Sequence, residues 1–373
     1  MAEVLTMHLA EVDEVKKVGG DHMIDVSLPA NRVGDLAGHR TLAGEICAVT
    51  GSKMKVASLK LGNESSKKAK DFLIIKIENP NACRRYSARM IEGVKVGPSP
   101  QWLKERLNVL GLKSINNIVD LANYVMLEMG QPLHVFDYDK LEGKTIIVRR
   151  AKKGEKLNSL DNVSYTLDSD ILMIADKKKS VAIAGIKGGA NSGVDQKTKT
   201  IVIESANFDP IVTRRASRKL KLRTDASIRF EHGLDPSMTI ETLDRVAGFV
   251  QEHAGGAVLR GVVDVFPKKS PQRVVEFDPA FTNQLLGENI PQQKAMAILD
   301  SLGFRKAKTS SRKVIPLLTP LIRRDIEMRE DIVEEVGRIW GYEKIKENLL
   351  KAHNFQKSGM RNCTGQSVFG IFW

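Results

Sequence analysis

The sequence predicts an α+β protein with more than one domain. Its 373 residues exceed what one ordinary hydrophobic core holds, which indicates about two to three domains. Stretches with the period of a helix and stretches with the alternation of a strand follow one another without a regular strand–helix–strand rhythm. A doubly wound parallel sheet requires that rhythm, so mixed sheets packed with helices are the expected architecture.

The composition narrows the class of protein. Lys and Arg number 58 against 45 Asp and Glu, a net charge of +13. This excess favours contact with a polyanion such as nucleic acid, and a lysine-rich solvated surface explains it equally well. Cysteines at positions 47, 83 and 363, without a Cys-x-x-Cys pair, argue against a disulfide framework or a zinc site and favour a cytoplasmic protein. No apolar run reaches the ~18 residues of a membrane span, so no membrane partner is expected.

The first 52 residues contain too little structure to bury a core of their own. Residues 25–28 alternate like a strand and residues 36–50 have the pattern of a helix. Arg32 and Asp35 lie in the turn between them and are expected to fix its shape. Residues 53–70, rich in Lys, Ser and Gly, predict an exposed linker.

Residues 116–139 form the most informative stretch. Apolar residues from Ile118 to Met129 recur at the spacing of one buried helix face. Gly130 ends this helix and Pro132 prevents its return, because glycine tolerates a positive φ and proline lacks the backbone N–H. His134 follows the break, where its side chain is predicted to face a cleft.

A second stretch, residues 200–210, predicts an apolar strand with a single acid. Alternation places Glu204 on the same face as Val202. A buried carboxylate is costly without a partner. Glu204 is therefore predicted either to serve a site or to pair with Arg214 or Arg218 as a structural contact. A third stretch, residues 222–236, predicts a polar turn between two helices.

These stretches read NYVMLEMGQPLHVFD, ESANF and RTDASIRFEHGLDP, in this order along the chain. They resemble the editing domain of the bacterial-type phenylalanyl-tRNA synthetase β subunit, and the resemblance extends over roughly residues 20–345. It implies a chain truncated at both ends relative to the family. The implied units are half of a split N-terminal domain at 1–52, a linker at 53–70, a mixed-sheet editing domain at 71–266, a small, mainly helical domain resembling DNA-binding folds at 271–347, and a divergent, disordered tail at 348–373.

The resemblance also implies a function. Family members work with an α subunit in an α2β2 heterotetramer that charges tRNA(Phe) with phenylalanine, using ATP bound mainly outside the β chain. The β chain hydrolyses mischarged Tyr-tRNA(Phe). In this sequence the implied catalytic residues are His134, Glu204 and Thr224, and the implied substrate-binding residues are Asn123, Gly188 and Ala226.

Each of these residues also has a structural interpretation. A lone histidine such as His134 is more often structural than catalytic. For Asn123 the alternative is a buried amide that caps local backbone, and without the resemblance residues 224–227 are best interpreted as an ordinary turn. Ala122 stands where the family commonly has threonine, which removes one hydroxyl from the implied pocket.

Basic residues are concentrated between the second and third stretches. Residues 214–223 carry six Lys and Arg in ten positions, and Arg214, Arg218 and Lys221 share one helix face. With the adjacent Arg215, this face is predicted either to contact phosphates of tRNA or to be a solvated surface.

Carboxylates are concentrated near the C-terminal end of the resemblance. On a helix predicted over residues 325–340, Asp331, Glu334 and Glu335 fall on one side. Hard oxygen ligands so grouped suit Mg²⁺. The resemblance implies a magnesium ion, shared with the α subunit, at these three residues and Asp325. A surface pair between Glu334 and Arg338 is the alternative.

Two other functions compete with the editing hydrolase. One is a non-catalytic RNA-binding or scaffold protein that retains the fold with an idle pocket. The other is a magnesium-dependent phosphotransferase or nuclease built on residues 325–335. No G-x-x-x-x-G-K-[ST] motif accompanies those acids, which disfavours the second alternative.

Overall fold

The structure, a computed structural model, describes residues 1–55, 61–62, 64–269, 271–307 and 314–345. The predicted tail at 348–373, with Cys363, lies outside the described residues. The predicted α+β architecture is confirmed, since helices and mixed sheets alternate along the chain.

The described residues form the following elements. The helices are α1 (Ala2–His8), α2 (Val33–Leu36), α3 (His39–Thr50), α4 (Gln101–Val109), α5 (Asn117–Met129), α6 (Pro210–Leu220), α7 (Asp225–Glu231), α8 (Met238–Ala254), α9 (Pro279–Leu286), α10 (Gln292–Ser301) and α11 (Arg329–Trp340). The strands are β1 (Glu11–Val18), β2 (Asp21–Ser27), β3 (Glu64–Lys68), β4 (Ile74–Ile77), β5 (Cys83–Glu92), β6 (Leu133–Asp137), β7 (Thr145–Arg150), β8 (Glu155–Asn158), β9 (Ser164–Leu167), β10 (Leu172–Ala175), β11 (Ser180–Ile183), β12 (Lys187–Gly188), β13 (Thr200–Phe208), β14 (Ala257–Arg260), β15 (Val263–Val265), β16 (Val274–Phe277), β17 (Arg305–Lys306) and β18 (Ile315–Leu318). Short 3₁₀ helices occupy Ala69–Asp71, Tyr138–Lys140, Glu142–Lys144 and Tyr342–Lys344.

The larger of two central sheets has the strand order β3–β14–β5–β13–β6, and β15 pairs with β5. β13 lies between β5 and β6 and is antiparallel to both. Ile201 and Ile203 on one face pack against α4, α5 and α8. Val202 on the other face packs toward the second sheet. Because strand side chains alternate, Glu204 lies on the face of Val202, as predicted.

The second central sheet has the order β12–β11–β10–β7–β4. β4 is parallel to β7, whereas the remaining pairs are antiparallel. Buried residues such as Val148, Ile174 and Val181 face Tyr86 and Phe136 of the larger sheet. The β10–β11 hairpin matches the apolar pattern of the sequence. The two sheets therefore enclose a shared core between them.

Helix α5 delivers the chain to the start of β6. The side chain of Asn116 accepts hydrogen bonds from the backbone N–H groups of Ile118 and Val119 and caps the first turn. The predicted apolar face is buried against the larger sheet. Gly130 ends the helix with a φ of 76°. The adjacent Gly38 has no room for a side chain, since a Cβ there would lie 2.5 Å from the Gly130 nitrogen.

The N-terminal region differs from the predicted single strand and helix. β1 pairs with β2 in an antiparallel ribbon, and the helix predicted at 36–50 begins only at His39 as α3, after a separate short helix α2 that ends at Leu36. The division falls at Gly38, whose extended backbone starts α3. Close packing against the end of α5 sets this break, so it depends on residues about 90 positions away in the sequence.

The linker prediction was wrong for residues 64–68. They form β3, which pairs in parallel with β14 at the edge of the larger sheet. Arg89 donates to the Glu64 carboxylate at 2.6 Å and fixes the strand to β5. Polar residues along an edge strand produce no apolar alternation, which explains why the sequence did not reveal it.

The C-terminal unit combines a three-stranded sheet, β16–β18–β17, with α9, α10 and α11. Its core includes Phe277, Leu299, Phe304, Ile332 and Val336. The sheet makes this unit less purely helical than predicted. No helix among the described residues is long and apolar enough to cross a lipid bilayer.

Candidate functional site

A cavity of about 70 Å³ lies between the two central sheets. β6 and β13 of the larger sheet form one side, and the β10–β11 hairpin and the glycine-containing turn after it form the opposite side. The first part of α7 covers one end. The lining residues are Pro132, Leu133, His134, Ile174, Ala182, Ile183, Gly185, Ile186, Lys187, Gly188, Glu204, Ala226 and Phe230.

Glu204 and His134 are direct neighbours across two antiparallel strands. The register of β13 and β6 pairs Glu204 with His134, so both side chains leave the same face of the sheet. The His134 ring packs edge-on against Phe136, with ring centroids 4.5 Å apart. Two residues 70 positions apart in the sequence thus converge on one cavity, as the resemblance implies.

Glu204 is a buried carboxylate in largely apolar surroundings. The residue is 5% exposed, and the Tyr86 hydroxyl donates to its Oε2 at 2.6 Å. Burial raises the pKa of Glu204 to about 7, although the Tyr86 hydrogen bond acts in the opposite direction. The alternative pairing with Arg214 or Arg218 is not present, because both arginines are exposed on α6.

His134 is a neutral imidazole at pH 7. Burial of its ring lowers the pKa of His134 to about 4. Its Nε2 atom is buried and has no hydrogen-bond partner among the described residues, so it is available to a group that enters the cavity. Gly188 leaves room for this ring, because a Cβ there would lie 2.4 Å from His134 Cε1.

Thr224 supports the cavity from behind its wall. It is the N-cap of α7, where its Oγ1 accepts from the backbone N–H of Ser227 and donates to the carbonyl of Ile186. Both contacts position the wall, since Ile186 and Ala226 line the cavity. Asn123 is a half-buried residue on α5 and is not among the lining residues.

Two lining or contacting residues were missed at the sequence level. Tyr86 is fully buried on β5, and Lys187 lines the cavity while pairing with Asp161 at 3.2 Å. In β5, Tyr86, Ala88 and Met90 alternate with Arg85, Ser87 and Arg89, so the available signal for Tyr86 was its place on the apolar face of a strand. Lys187 offered no comparable signal, because one lysine in a turn is ordinary.

The predicted RNA-contacting residues lie on or next to α6. Arg214, Arg215 and Arg218 are exposed on the helix, and Lys221 follows it in a left-handed conformation. Lys219, by contrast, is paired with Asp168 and Asp170 at 3.1 and 2.8 Å. α6 leads into α7, so these cations lie close in the chain to the wall of the cavity.

The four predicted magnesium ligands are not grouped. The helix begins at Arg329 instead of residue 325, which takes Asp325 off the shared helix face. Asp331 accepts from the backbone N–H groups of residues 327 and 328, and Glu334 is exposed. Among the described residues, no cluster of three or more His, Cys, Asp or Glu could hold a metal ion.

The other two carboxylates of that set are neutralised by arginine. Arg323 contacts both Asp325 and Glu335 at 2.7 Å, and Arg338 contacts Glu335 at 2.6 Å. Burial opposes ionisation of Glu335, but these arginines outweigh it and lower its pKa to about 2. This donor set does not fit Mg²⁺, which requires free oxygen ligands. Among the described residues, Arg338 does not form the alternative pair with Glu334, because it contacts Glu45 and Glu335.

A second, larger cavity of about 670 Å³ lies between the β1–β2 ribbon and helices α3, α4 and α5. Its wall is mostly apolar and includes Leu107, Leu110 and Leu127. The smaller cavity, by contrast, is lined by Glu204 and His134, two buried groups whose pKa values burial shifts in opposite directions. Paired, strongly shifted groups in a concave site are typical of function, which favours the smaller cavity as the candidate site.

Comparison with known proteins gives independent information on the chain. The B3/4 domain family matches residues 82–255, and the tRNA synthetase B5 domain family matches residues 275–342. The described cavity lies within the first of these regions.

The relatives that align with most of this chain carry the same protein name. Proteins called phenylalanine–tRNA ligase β subunit from Carboxydothermus hydrogenoformans and Protochlamydia amoebophila are 42% and 40% identical over 331 and 344 residues. These alignments cover 88% and 92% of this chain but 40% and 43% of the relatives. The chain thus spans about two fifths of the length of these relatives.

A solved structure of an N-terminal fragment of the phenylalanyl-tRNA synthetase β subunit from Pyrococcus horikoshii aligns with a TM-score of 0.48 at 16% identity, covering 91% of this chain and 92% of that one. With both domain families present in order and about 40% identity across most of its length, the chain belongs to the family of phenylalanine–tRNA ligase β subunits.

Proposed function

We propose that this chain hydrolyses the ester of Tyr-tRNA(Phe) in the cavity between its two central sheets. The observation that carries the proposal is Glu204, a buried carboxylate that faces the cavity beside His134. An apolar pocket cannot strongly reject a ring that merely adds a hydroxyl, whereas a site that hydrogen-bonds the hydroxyl discriminates strongly against the ring without it. Glu204 supplies such an acceptor.

The reaction is the addition of water to the ester carbonyl carbon. The bond between that carbon and the ribose oxygen then breaks, the ribose oxygen takes one proton of the water, the other proton is released to solvent, and tyrosine leaves as a carboxylate. His134, with a pKa of about 4, is a weak base at pH 7. Its unpartnered Nε2 is better suited to hold the water or a ribose hydroxyl by a hydrogen bond than to remove a proton.

The substrate's phosphates require a cationic surface outside the cavity. Arg214, Arg215, Arg218 and Lys221 are exposed next to α7, which covers one end of the cavity. We infer that this face contacts the acceptor end of tRNA(Phe). Charging of tRNA(Phe) with phenylalanine belongs to the complete synthetase, in which this chain is proposed to act with an α subunit that uses ATP.

Magnesium stays a prediction of the family resemblance alone. Its four carboxylates are separated or paired with arginine, so no role in hydrolysis is derived for the ion.

Hydrolysis of Tyr-tRNA(Phe) and Phe-tRNA(Phe) by the chain, with and without an α subunit, tests the proposal. We expect tyrosine-selective hydrolysis, and we expect Glu204→Ala to reduce the selectivity roughly 10- to 100-fold, the value of a hydrogen bond to a charged group. Arg273→Met, a change in a half-exposed surface pair with Glu327, is the control and should leave selectivity unchanged.

A folded chain that binds tRNA(Phe) but hydrolyses neither ester under both conditions would contradict the proposal. That outcome would support the non-catalytic RNA-binding alternative. Equal hydrolysis of both esters by the unaltered chain would also contradict it, because Glu204 would then not select the phenol.

A further inference from the structure

Tyr86 is the buried contact of Glu204 that the proposed reaction does not yet use. It is 0% exposed on β5. The register of β5 and β13 pairs Tyr86 with Ala206 and Ala88 with Glu204. Tyr86 therefore lies diagonally across from Glu204 on the same face of the sheet, within reach of a long side chain. Its hydroxyl donates to Glu204 Oε2 at 2.6 Å.

Other polar groups around Glu204 make no comparable contact. His134 on β6 is neutral because burial lowers its pKa to about 4. Cys83 on β5 is also neutral, since burial and the nearby Glu204 raise the pKa of its thiol well above the usual range. Lys187, across the cavity, is paired with Asp161. Among the described residues, Tyr86 is thus the one side chain that donates a hydrogen bond to this carboxylate.

We propose that Tyr86 is a positioning residue that occupies Glu204 Oε2 and leaves Oε1 as the single acceptor for the ligand's phenol hydroxyl. This inference rests on the proposed function of the cavity. With one oxygen held by a fully buried donor, the carboxylate cannot rotate freely, and its second oxygen is presented in one direction. The hydrogen bond also favours the charged form of Glu204 against the effect of burial.

Loss of the Tyr86 hydroxyl should have effects that the loss of a merely structural hydroxyl would not have. Tyr86→Phe keeps the ring and its packing but removes the donor. Glu204 should then ionise at higher pH, because the donor that stabilises its charge is gone. Selectivity for the tyrosyl ester should fall about tenfold at pH 7 and should recover in part as the pH rises and Glu204 becomes charged.

The experiment has two independent readouts on the full chain, assembled with an α subunit where one is needed for activity. The first is an NMR titration of the Glu204 carboxyl carbon in chain labelled with ¹³C at glutamate Cδ, with the signal assigned by Glu204→Gln. The second is the pH profile of kcat/KM for Tyr-tRNA(Phe) relative to Phe-tRNA(Phe). Tyr138→Phe is the matched control, since its hydroxyl donates to the carbonyl of Phe72 at 2.9 Å.

We expect Tyr86→Phe to move both the titration and the selectivity profile to higher pH, and Tyr138→Phe to move neither. If the unaltered chain is tyrosine-selective but Tyr86→Phe changes neither readout, the inference is overturned while the proposed function stands. If the unaltered chain hydrolyses neither ester, the proposed function fails, and the titration alone decides. A titration that shifts in Tyr86→Phe then supports the role of Tyr86 in holding the carboxylate, and an unchanged one overturns it.

Discussion

Burial shifts the pKa values of Glu204 and His134, which face each other in the cavity, in opposite directions. It raises the pKa of Glu204 to about 7 and lowers that of His134 to about 4, in both cases because an apolar environment disfavours charge. Between about pH 4 and 7 both side chains are therefore mainly neutral. A ligand that donates a hydrogen bond to Glu204 would favour its charged form, so binding and ionisation are expected to be coupled.

The raised pKa of Glu204 predicts how stability depends on pH. The pKa of Glu204 in the folded chain, about 7, lies above its ordinary value of 4.5. Between pH 4.5 and 7 the folded chain therefore binds more protons than the unfolded chain. The free energy of unfolding therefore falls as the pH rises from 4.5 to 7. Complete titration of Glu204 accounts for a fall of about 3 kcal/mol. Glu204→Gln, which keeps an acceptor for Tyr86, should be more stable than the unaltered chain at pH 8 and about equally stable at pH 4.5.

Urea unfolding of both chains at pH 4.5, 6 and 8 measures this difference. His134 contributes the opposite slope, because its lowered pKa makes stability rise with pH between about 4 and 6.5. That contribution is common to both chains and cancels in their difference. A difference in unfolding free energy that does not grow with pH would contradict the assigned pKa of Glu204.

At the scale of single helices and strands, the sequence predicted those features that neighbouring residues in the chain determine. α5 has an apolar face, a capping asparagine and a terminal glycine within one stretch, and its buried face and its end followed from the sequence. The face of β13 that carries Glu204 followed from alternation alone. The start of α11 did not, because the helix predicted from residue 325 begins at Arg329 and Arg323 holds Asp325 outside it. Its environment is set by tertiary contact.

The exposed cations of α6 yield a prediction about RNA. Replacing Arg214, Arg215 and Arg218 by glutamine should weaken binding of tRNA(Phe) and make it less dependent on salt. Three lost phosphate contacts would reduce the slope of log K against log salt by about 2 to 3. Binding measured by fluorescence anisotropy between low and moderate salt provides both values.

The matched control replaces three exposed lysines on other elements, Lys16, Lys17 and Lys306, by glutamine. It removes the same charge from the chain. If both triple variants lose the same affinity and slope, the effect is one of net charge, and α6 is a solvated face with no specific role.

At the scale of the whole molecule, a buried network of charges joins the N-terminal region to the C-terminal unit. Arg32 contacts Asp35 and Glu45 at 2.8 and 2.6 Å, and Arg338 contacts Glu45 at 2.8 Å. Arg338 also donates to the backbone carbonyl of His8. The sequence predicted that Arg32 and Asp35 fix a turn, which is confirmed. Their connection to residues about 290 positions later could not be read from a local pattern.

The same limit applies to the cavity. His134 and Glu204 were predictable because each lies in a distinctive stretch, and the resemblance supplied their pairing. Tyr86 was not singled out, since its significance depends on the register of β5 with β13. Metal ligation was predicted from the family resemblance and from the spacing of acids along one helix, yet it depends on which cations reach the same carboxylates from other segments.

The network predicts that arginine, and not magnesium, stabilises the junction of these regions. Arg323 is 4% exposed and contacts Asp325 and Glu335. Arg323→Met would leave these buried carboxylates short of a partner and should lower the unfolding free energy by about 3–5 kcal/mol. Lys178→Met removes an exposed pair with Glu142 at 3.2 Å and should cost less than about 1 kcal/mol. Thermal unfolding of the three chains with MgCl2 or EDTA measures both effects.

The unaltered chain should be insensitive to magnesium, because arginines already occupy its carboxylates. A rise in its Tm with magnesium would show instead that the ion displaces Arg323, and would restore the ligand set that the resemblance implies.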